Sequence, residues 1–188
     1  MSKTNVLALV GSLRAGSTNQ QLAETAAAVA PADVDVAIFE GLGEIPFYNE
    51  DLDVAGAVPA PAAKLREAAG SADSVLLVSP EHNGTMPAVL KNAIDWLSRP
   101  YGQGAVAGKP AAVIGTAFGQ YGGVWAHDDA RKSLTIAGAK IVDEAKLSVA
   151  NSVVRFADVH PKDDAEVAGQ VAEVLQSLVA ASSSEAAA

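Results

Sequence analysis

Five short apolar runs recur along the chain, each followed by a stretch in which apolar residues return at helical intervals. That alternation predicts an α/β fold, with βαβ units on a parallel sheet. A first strand is expected at Thr4–Gly11, followed by a helix that opens near Ser17–Asn19 and carries Leu22, Ala26 and Val29 on one stripe. Strand two, Asp35–Glu40, alternates apolar and polar, whereas Ser74–Ser79 and Ala111–Ala117 are continuously apolar, as strands covered on both faces are. The last two should therefore lie at the centre of the sheet.

Helix boundaries follow from capping chemistry. Val54–Ala63, rich in Ala and Pro, reads as the lead-in to a second helix. A third begins at Pro87, whose missing N–H is harmless in a first turn, presents Val89, Leu90, Ala93, Ile94 and Leu97 on one stripe, and stops at Arg99-Pro100. A fourth, Val124–Ala137, ends at Gly138, and Lys140–Val149 supplies a fifth strand. A last helix is expected over Asp163–Ala180. Residues 1–181 are thus expected to form a single domain, with Ser182–Ala188 as a frayed, flexible tail.

At 188 residues and 49% hydrophobic, the chain has the apolar mass for a substantial core. Thirteen basic against twenty-two acidic residues give a net charge of −9, which disfavours nucleic acid and anionic membrane surfaces as partners. The absence of Cys excludes disulfides, thiolate nucleophiles and Cys-ligated metal. The first apolar run, Val6–Val10, is too short for a signal peptide, so the expected location is cytoplasmic, and Asn83-Gly84-Thr85 is not expected to be glycosylated. No His spacing suits a metal site, because His82, His127 and His160 lie on separate segments.

Open parallel sheets bind ligands beyond the carboxyl ends of their strands, which directs attention to the loops after strands one, three and four. The first, Gly11-Ser12-Leu13-Arg14-Ala15-Gly16-Ser17-Thr18-Asn19, sets hydroxyls, an amide and a cation before a helix N-terminus, an arrangement suited to a phosphate. The plainer alternative is a polar turn with Ser17 or Thr18 as a helix cap. Neither a Gly-x-x-x-x-Gly-Lys-Ser/Thr nor a Gly-x-Gly-x-x-Gly pattern occurs, which points to a terminal monoester rather than a triphosphate or dinucleotide. The second loop, Ser79–Pro87, is a donor-rich turn in which Asn83-Gly84 favours positive φ, and the third, Gly119–Gly123, lets backbone approach a ligand.

These residues resemble the flavodoxin-like NAD(P)H-dependent FMN reductases, a family that includes quinone, chromate and azo-dye reductases. The resemblance runs from about Asn5 to Val149, on Gly11-Ser12-Leu13-Arg14 with Ser17 and Asn19, on Pro46-Phe47-Tyr48-Asn49-Glu50-Asp51, on Ser79–Pro87, and on Leu90–Trp96 with Ser98-Arg99-Pro100. It implies a doubly wound five-stranded sheet of order 2-1-3-4-5 with helices on both faces. It further implies that Ser12, Arg14, Ser17 and Asn19, with Gln20 nearby, hold the FMN phosphate. Pro80, Glu81, His82, Asn83 and Gly84 would line the isoalloxazine, and Gly119, Gly122 and Gly123 would form the third loop beside it. Where relatives commonly carry Tyr after the Pro-Glu pair, this chain has His82, a candidate tuning residue; no side chain is assigned as catalytic.

The implied activity is transfer of hydride from NADPH or NADH to FMN, and then of electrons to a small-molecule acceptor such as free flavin, quinone, chromate or an azo compound, by a ping-pong mechanism. A homodimer or homotetramer is also implied. The alternative is a flavodoxin-type FMN electron carrier serving protein partners. Such carriers cover the flavin with aromatics, whereas the two flavin loops here offer His82 and Tyr121, so an open-faced reductase ranks first. A phosphoacceptor domain lacks its acidic residues, and no Gly-x-Ser-x-Gly elbow supports a hydrolase.

Overall fold

The computed structural model describes residues 3–186. Five parallel strands, β1 (Thr4–Val10), β2 (Val34–Ile38), β3 (Ser74–Val78), β4 (Pro110–Thr116) and β5 (Lys140–Val149), form one sheet in the order β2-β1-β3-β4-β5. The helices are α1 (Thr18–Val29), α2 (Ala60–Ser71), α3 (Ala88–Leu97), α4 (Val124–Ile136), α5 (Ser152–Arg155) and α6 (Ala165–Ala186), with short 3-10 turns at Leu42–Glu44, Glu50–Leu52 and Pro161–Asp163. The three inner strands include both continuously apolar runs, and every residue of β3 and β4 is buried.

Successive strand residues feed opposite faces of the sheet, so each inner strand divides between two cores. Leu7, Leu9, Val75, Leu77 and Val113 meet α2, α3 and α4 through Leu65, Leu90, Trp96 and Leu134. Ala8, Val10, Leu76, Val78 and Ile114 meet α1 and α6 through Leu22, Val171, Leu175 and Leu178. Full burial of each such Leu or Val contributes about 1.5–3 kcal/mol, which explains why the runs must be apolar on both sides.

Two segments singled out in the sequence prove to be one unit. Pro46–Leu52 crosses α3, where Asn92 Nδ2 donates to the carbonyls of Ile45 (3.2 Å) and Pro46 (3.1 Å) and Asn92 Oδ1 accepts from Tyr48 N at 2.8 Å. Trp96 Nε1 donates to the same Pro46 carbonyl at 2.8 Å, and the Tyr48 ring meets the Trp96 ring edge-on at 5.0 Å.

Several expectations are corrected. The last helix starts at Ala165, with Asp164 Oδ1 accepting from Val167 N, and it continues past Ala180 to Ala186. Most of the segment expected to fray is thus helical; Ser182 and Ser183 donate their hydroxyls to the backbone carbonyls of Leu178 and Val179, one turn earlier in the same helix. Ala187 and Ala188 lie outside the described residues. On the outer strand, Ala111 pairs with Ile141 and Val113 with Lys146, so β5 carries extra residues that bulge out of register. No helix among the described residues is long and apolar enough to cross a membrane.

Candidate functional site

Parallel order with β3 at the centre brings the loops after β1, β3 and β4 to one edge. The first loop presents free backbone donors at the start of α1. None of the backbone amides from Ser12 to Thr18 has an acceptor among the described residues, and the Ser12 hydroxyl has no partner among them either. Ser17 caps α1, its Oγ accepting from Asn19 N at 3.2 Å and Gln20 N at 3.5 Å, so the capping reading holds while the hydroxyl proton remains available. Arg14 is exposed and, among the described residues, bonds only the neighbouring Ala15 carbonyl, at 3.4 Å. Gln20 reaches Glu24 at 3.2 Å.

Asn19, expected among the phosphate-holding residues, also ties the loop to the sheet. It is buried, and its carboxamide meets the end of β4: Nδ2 donates to the Thr116 carbonyl at 2.9 Å and Oδ1 accepts from the Thr116 amide at 3.0 Å.

The second loop folds back as a two-residue hairpin. His82 and Thr85 exchange N–H···O bonds of 3.0 and 3.2 Å, with Asn83 at φ 54° and Gly84 at φ 78° between them, the paired positive angles of a type I′ turn. The amides of Glu81, Asn83 and Gly84 find no acceptor among the described residues, and His82 is exposed. Two side chains tie this hairpin to α4: Glu81 Oε2 accepts from Ala126 N at 3.4 Å, and Thr85 Oγ1 donates to Asp129 Oδ2. The third loop turns at Gly119, whose carbonyl accepts from Gly122 and Asn151, and Gly123 opens α4. Phe118, Tyr121 and Trp125 stand exposed there, with the Tyr121 and Trp125 rings 5.3 Å apart. Trp125 is therefore not a core residue, whereas Trp96 is.

Hollows flank the loops on both sides. One of 270 Å³ is lined by Ser12, Leu13, Gln20, Gly41 and Leu42, and one of 580 Å³ by His82, Asn83, Met86, Lys91, Asp129 and Ser133. Lys91 also pairs with Asp95 at 2.6 Å on the exposed face of α3, the plain helix pair its spacing predicts.

Sequence reasoning missed His127. Its ring is fully buried between Ser79 O, 2.9 Å from Nε2, and Ser148 Oγ, 2.7 Å from Nδ1. Burial lowers its pKa below the usual histidine value of 6.5, as does Arg131, against the Ser79 bond and the nearby Glu81 and Asp128. Unfolding releases an ordinary histidine that takes up a proton below about pH 6.5, so stability is constant above that point, falls as pH drops through it and levels off at the lower folded value. Thermal melts from about pH 8 to about pH 5 should show this decline, and the His127→Gln variant should lack it.

The comparisons agree with this geometry. Residues 4–153 match the family described as NADPH-dependent FMN reductase. A quinone reductase of Pseudomonas putida is 45% identical over 130 residues, 69% of each chain. A 2-hydroxy-1,4-benzoquinone reductase of a Burkholderia species is 44% identical over 117 residues, 62% of each. The structure of FerB, a flavoenzyme NAD(P)H:(acceptor) oxidoreductase from Paracoccus denitrificans, superposes with a TM-score of 0.81 at 30% identity, covering 94% of this chain and 98% of that one. With the strand order and three donor-rich loops in place, these matches establish that the chain belongs to the NADPH-dependent FMN reductase family of flavin-dependent oxidoreductases.

Proposed function

We propose that the domain spanning residues 1–181 holds FMN at these three loops and reduces a small quinone-class acceptor with electrons from NADPH or NADH. The observation that carries this reading is the row of unpaired amides from Ser12 to Thr18 at the start of α1, joined by those of Glu81, Asn83 and Gly84. Such a set is worth little to a neutral ligand and much to a phosphate at one end and a polar flat ring at the other. Ser12, Arg14, Ser17 and Asn19, with Gln20 nearby, would hold the phosphate, and Asn19 also fixes their loop to β4. Pro80, Glu81, His82, Asn83 and Gly84 would line the ring, and Gly119, Gly122 and Gly123 would border it.

Bound FMN supplies the hydride and electron chemistry, which no side chain here needs to perform. The chain's own part is to orient: the hairpin amides would donate to ring acceptors, and Gly119, Gly122 and Gly123 would let the third loop's backbone come close to the ring beside the exposed Tyr121. His82, exposed on the hairpin, is the side chain placed to tune the ring. The quinone assignment draws on the relatives' names, and a ping-pong rate pattern would accompany one open face used in turn by donor and acceptor.

The protein is further proposed to act in the cytoplasm as a homodimer or homotetramer. In favour of self-association, exposed Tyr101 and Ile136 line a 570 Å³ groove between α3 and α4.

An anaerobic titration tests the function directly. FMN added to the purified chain should bind and bleach at about 450 nm on addition of NADPH, then recover on addition of a quinone. Binding without bleaching by either nicotinamide indicates the electron carrier, and absence of binding overturns the reading. Arg14→Ala should weaken FMN at least about tenfold, the scale of one charge-assisted contact, with the melting temperature nearly unchanged because Arg14 is exposed. Equal FMN affinity in that variant would remove Arg14 from the phosphate site.

A further inference from the structure

His127 has no place in the donor set above, yet the structure is built around its ring. It lies in the first turn of α4, and its two nitrogens reach β3's outgoing loop and β5. A carbonyl oxygen only accepts, so Nε2 carries the proton and donates to Ser79 O, while Nδ1 accepts from the Ser148 hydroxyl. Glycines clear the space on two sides: a Cβ at Gly123 would stand 3.2 Å from Nε2, and one at Gly115 would collide with both Nε2 and the Ser79 carbonyl oxygen.

What the ring holds matters more than the space it fills. The Ser79–Pro80 peptide has no N–H, so its carbonyl is the only backbone group by which it can be fixed. His127 fixes it from below, and the Ser79 hydroxyl fixes the next peptide by donating to Pro80 O at 2.8 Å. The N–H of that second peptide belongs to Glu81, the first of the unpaired hairpin donors.

We propose that His127 is the positioning residue of the flavin loop: its neutral, Nε2-protonated ring sets the Ser79–Pro80 peptide and thereby the direction in which Glu81, Asn83 and Gly84 present their amides. This rests on the flavin reading above. The benefit is preorganisation, since donors already aimed cost less to order when FMN arrives. A leucine would fill the same volume without the donor, and a glutamine keeps a donor of similar reach.

The test compares His127→Leu, His127→Gln and Ser148→Ala in the full chain, reading FMN affinity by fluorescence quenching and the amide ¹⁵N shifts of residues 81–84 without FMN. His127→Leu should lose about tenfold in FMN affinity, the size of one hydrogen bond, and shift those amides; His127→Gln should recover to within about threefold. Ser148→Ala keeps the Ser79 bond and should bind FMN nearly as the parent does. Equal affinity and unmoved amides in His127→Leu overturn the proposal. If that variant does not fold, imidazole ¹⁵N spectra of the parent chain decide: a proton on Nδ1 overturns the proposal, and one on Nε2 with a normal Ser148→Ala supports it. A parent chain that binds no FMN overturns the flavin reading instead, and the amide shifts of His127→Leu still report on positioning.

Discussion

Replacing Gly115 with alanine is expected to destabilise the fold by about 3 kcal/mol and to remove FMN binding, although it adds a single methyl group. The added Cβ would run into the Ser79 carbonyl oxygen and the His127 ring, neither of which is a flexible tip. Ser79 N is bonded to Ile114 O at 2.9 Å, so the carbonyl cannot retreat without parting β3 from β4. His127 is held at both nitrogens, and next door Thr116 is gripped by Asn19 on both its amide and its carbonyl. Relief must therefore come from moving the strand ends that carry all three loops. Chemical denaturation and FMN titration of Gly115→Ala check this together; a stability within about 0.5 kcal/mol of the parent would refute it.

Asp53→Ala should cost about 3 kcal/mol, because it strands a cation in a largely buried place. Arg66 binds Asp53 through two parallel bonds of 2.6 and 2.8 Å, with only 19% and 12% of the two side chains exposed. Its Nε donates to Trp96 O at 2.9 Å and its Cζ lies 5.2 Å from the centroid of the Trp96 ring, so it cannot swing out to water without leaving α3. Tyr48 OH, 3.3 Å from Asp53, loses its acceptor as well. Urea melts of Asp53→Ala, Arg66→Ala and the double variant separate the causes: if the stranded charge dominates, the double variant is more stable than Asp53→Ala alone. The Arg66 bonds hold the Asp53 carboxyl below its usual 3.8 against the opposing effect of burial. The pair's contribution is thus present above that value and is lost as pH falls through the lower folded one.

Local pattern carried the fold far. The apolar runs Ser74–Ser79 and Ala111–Ala117 read as central strands because burial on both faces favours continuous apolar runs, and Asn83-Gly84 read as a turn because few other residues accept two positive φ angles. What stayed hidden depends on partners distant in sequence. The bonds between Asn19 and Thr116, ninety-seven residues away, leave no local mark in the sequence. His127 lacks any ligand spacing, and its meaning comes from Ser79 and Ser148 on two other strands. Asn92 and Trp96 resembled family markers, and their work is to hold Pro46 and Tyr48 across α3. The small, weakly helical residues of the tail gave no local stop signal, and the chain uses them to prolong α6.

The register break in β5 has a consequence for how copies of this chain meet. An outermost strand offers a ladder of unpaired backbone groups that a neighbouring chain can extend, the usual seed of templated aggregation. Here the ladder is interrupted between Ile141 and Lys146, and the interruption carries exposed Asp143 and Glu144. The opposite edge, β2, runs only five residues and exposes Asp35. Each rim of the sheet thus discourages the addition of a further strand.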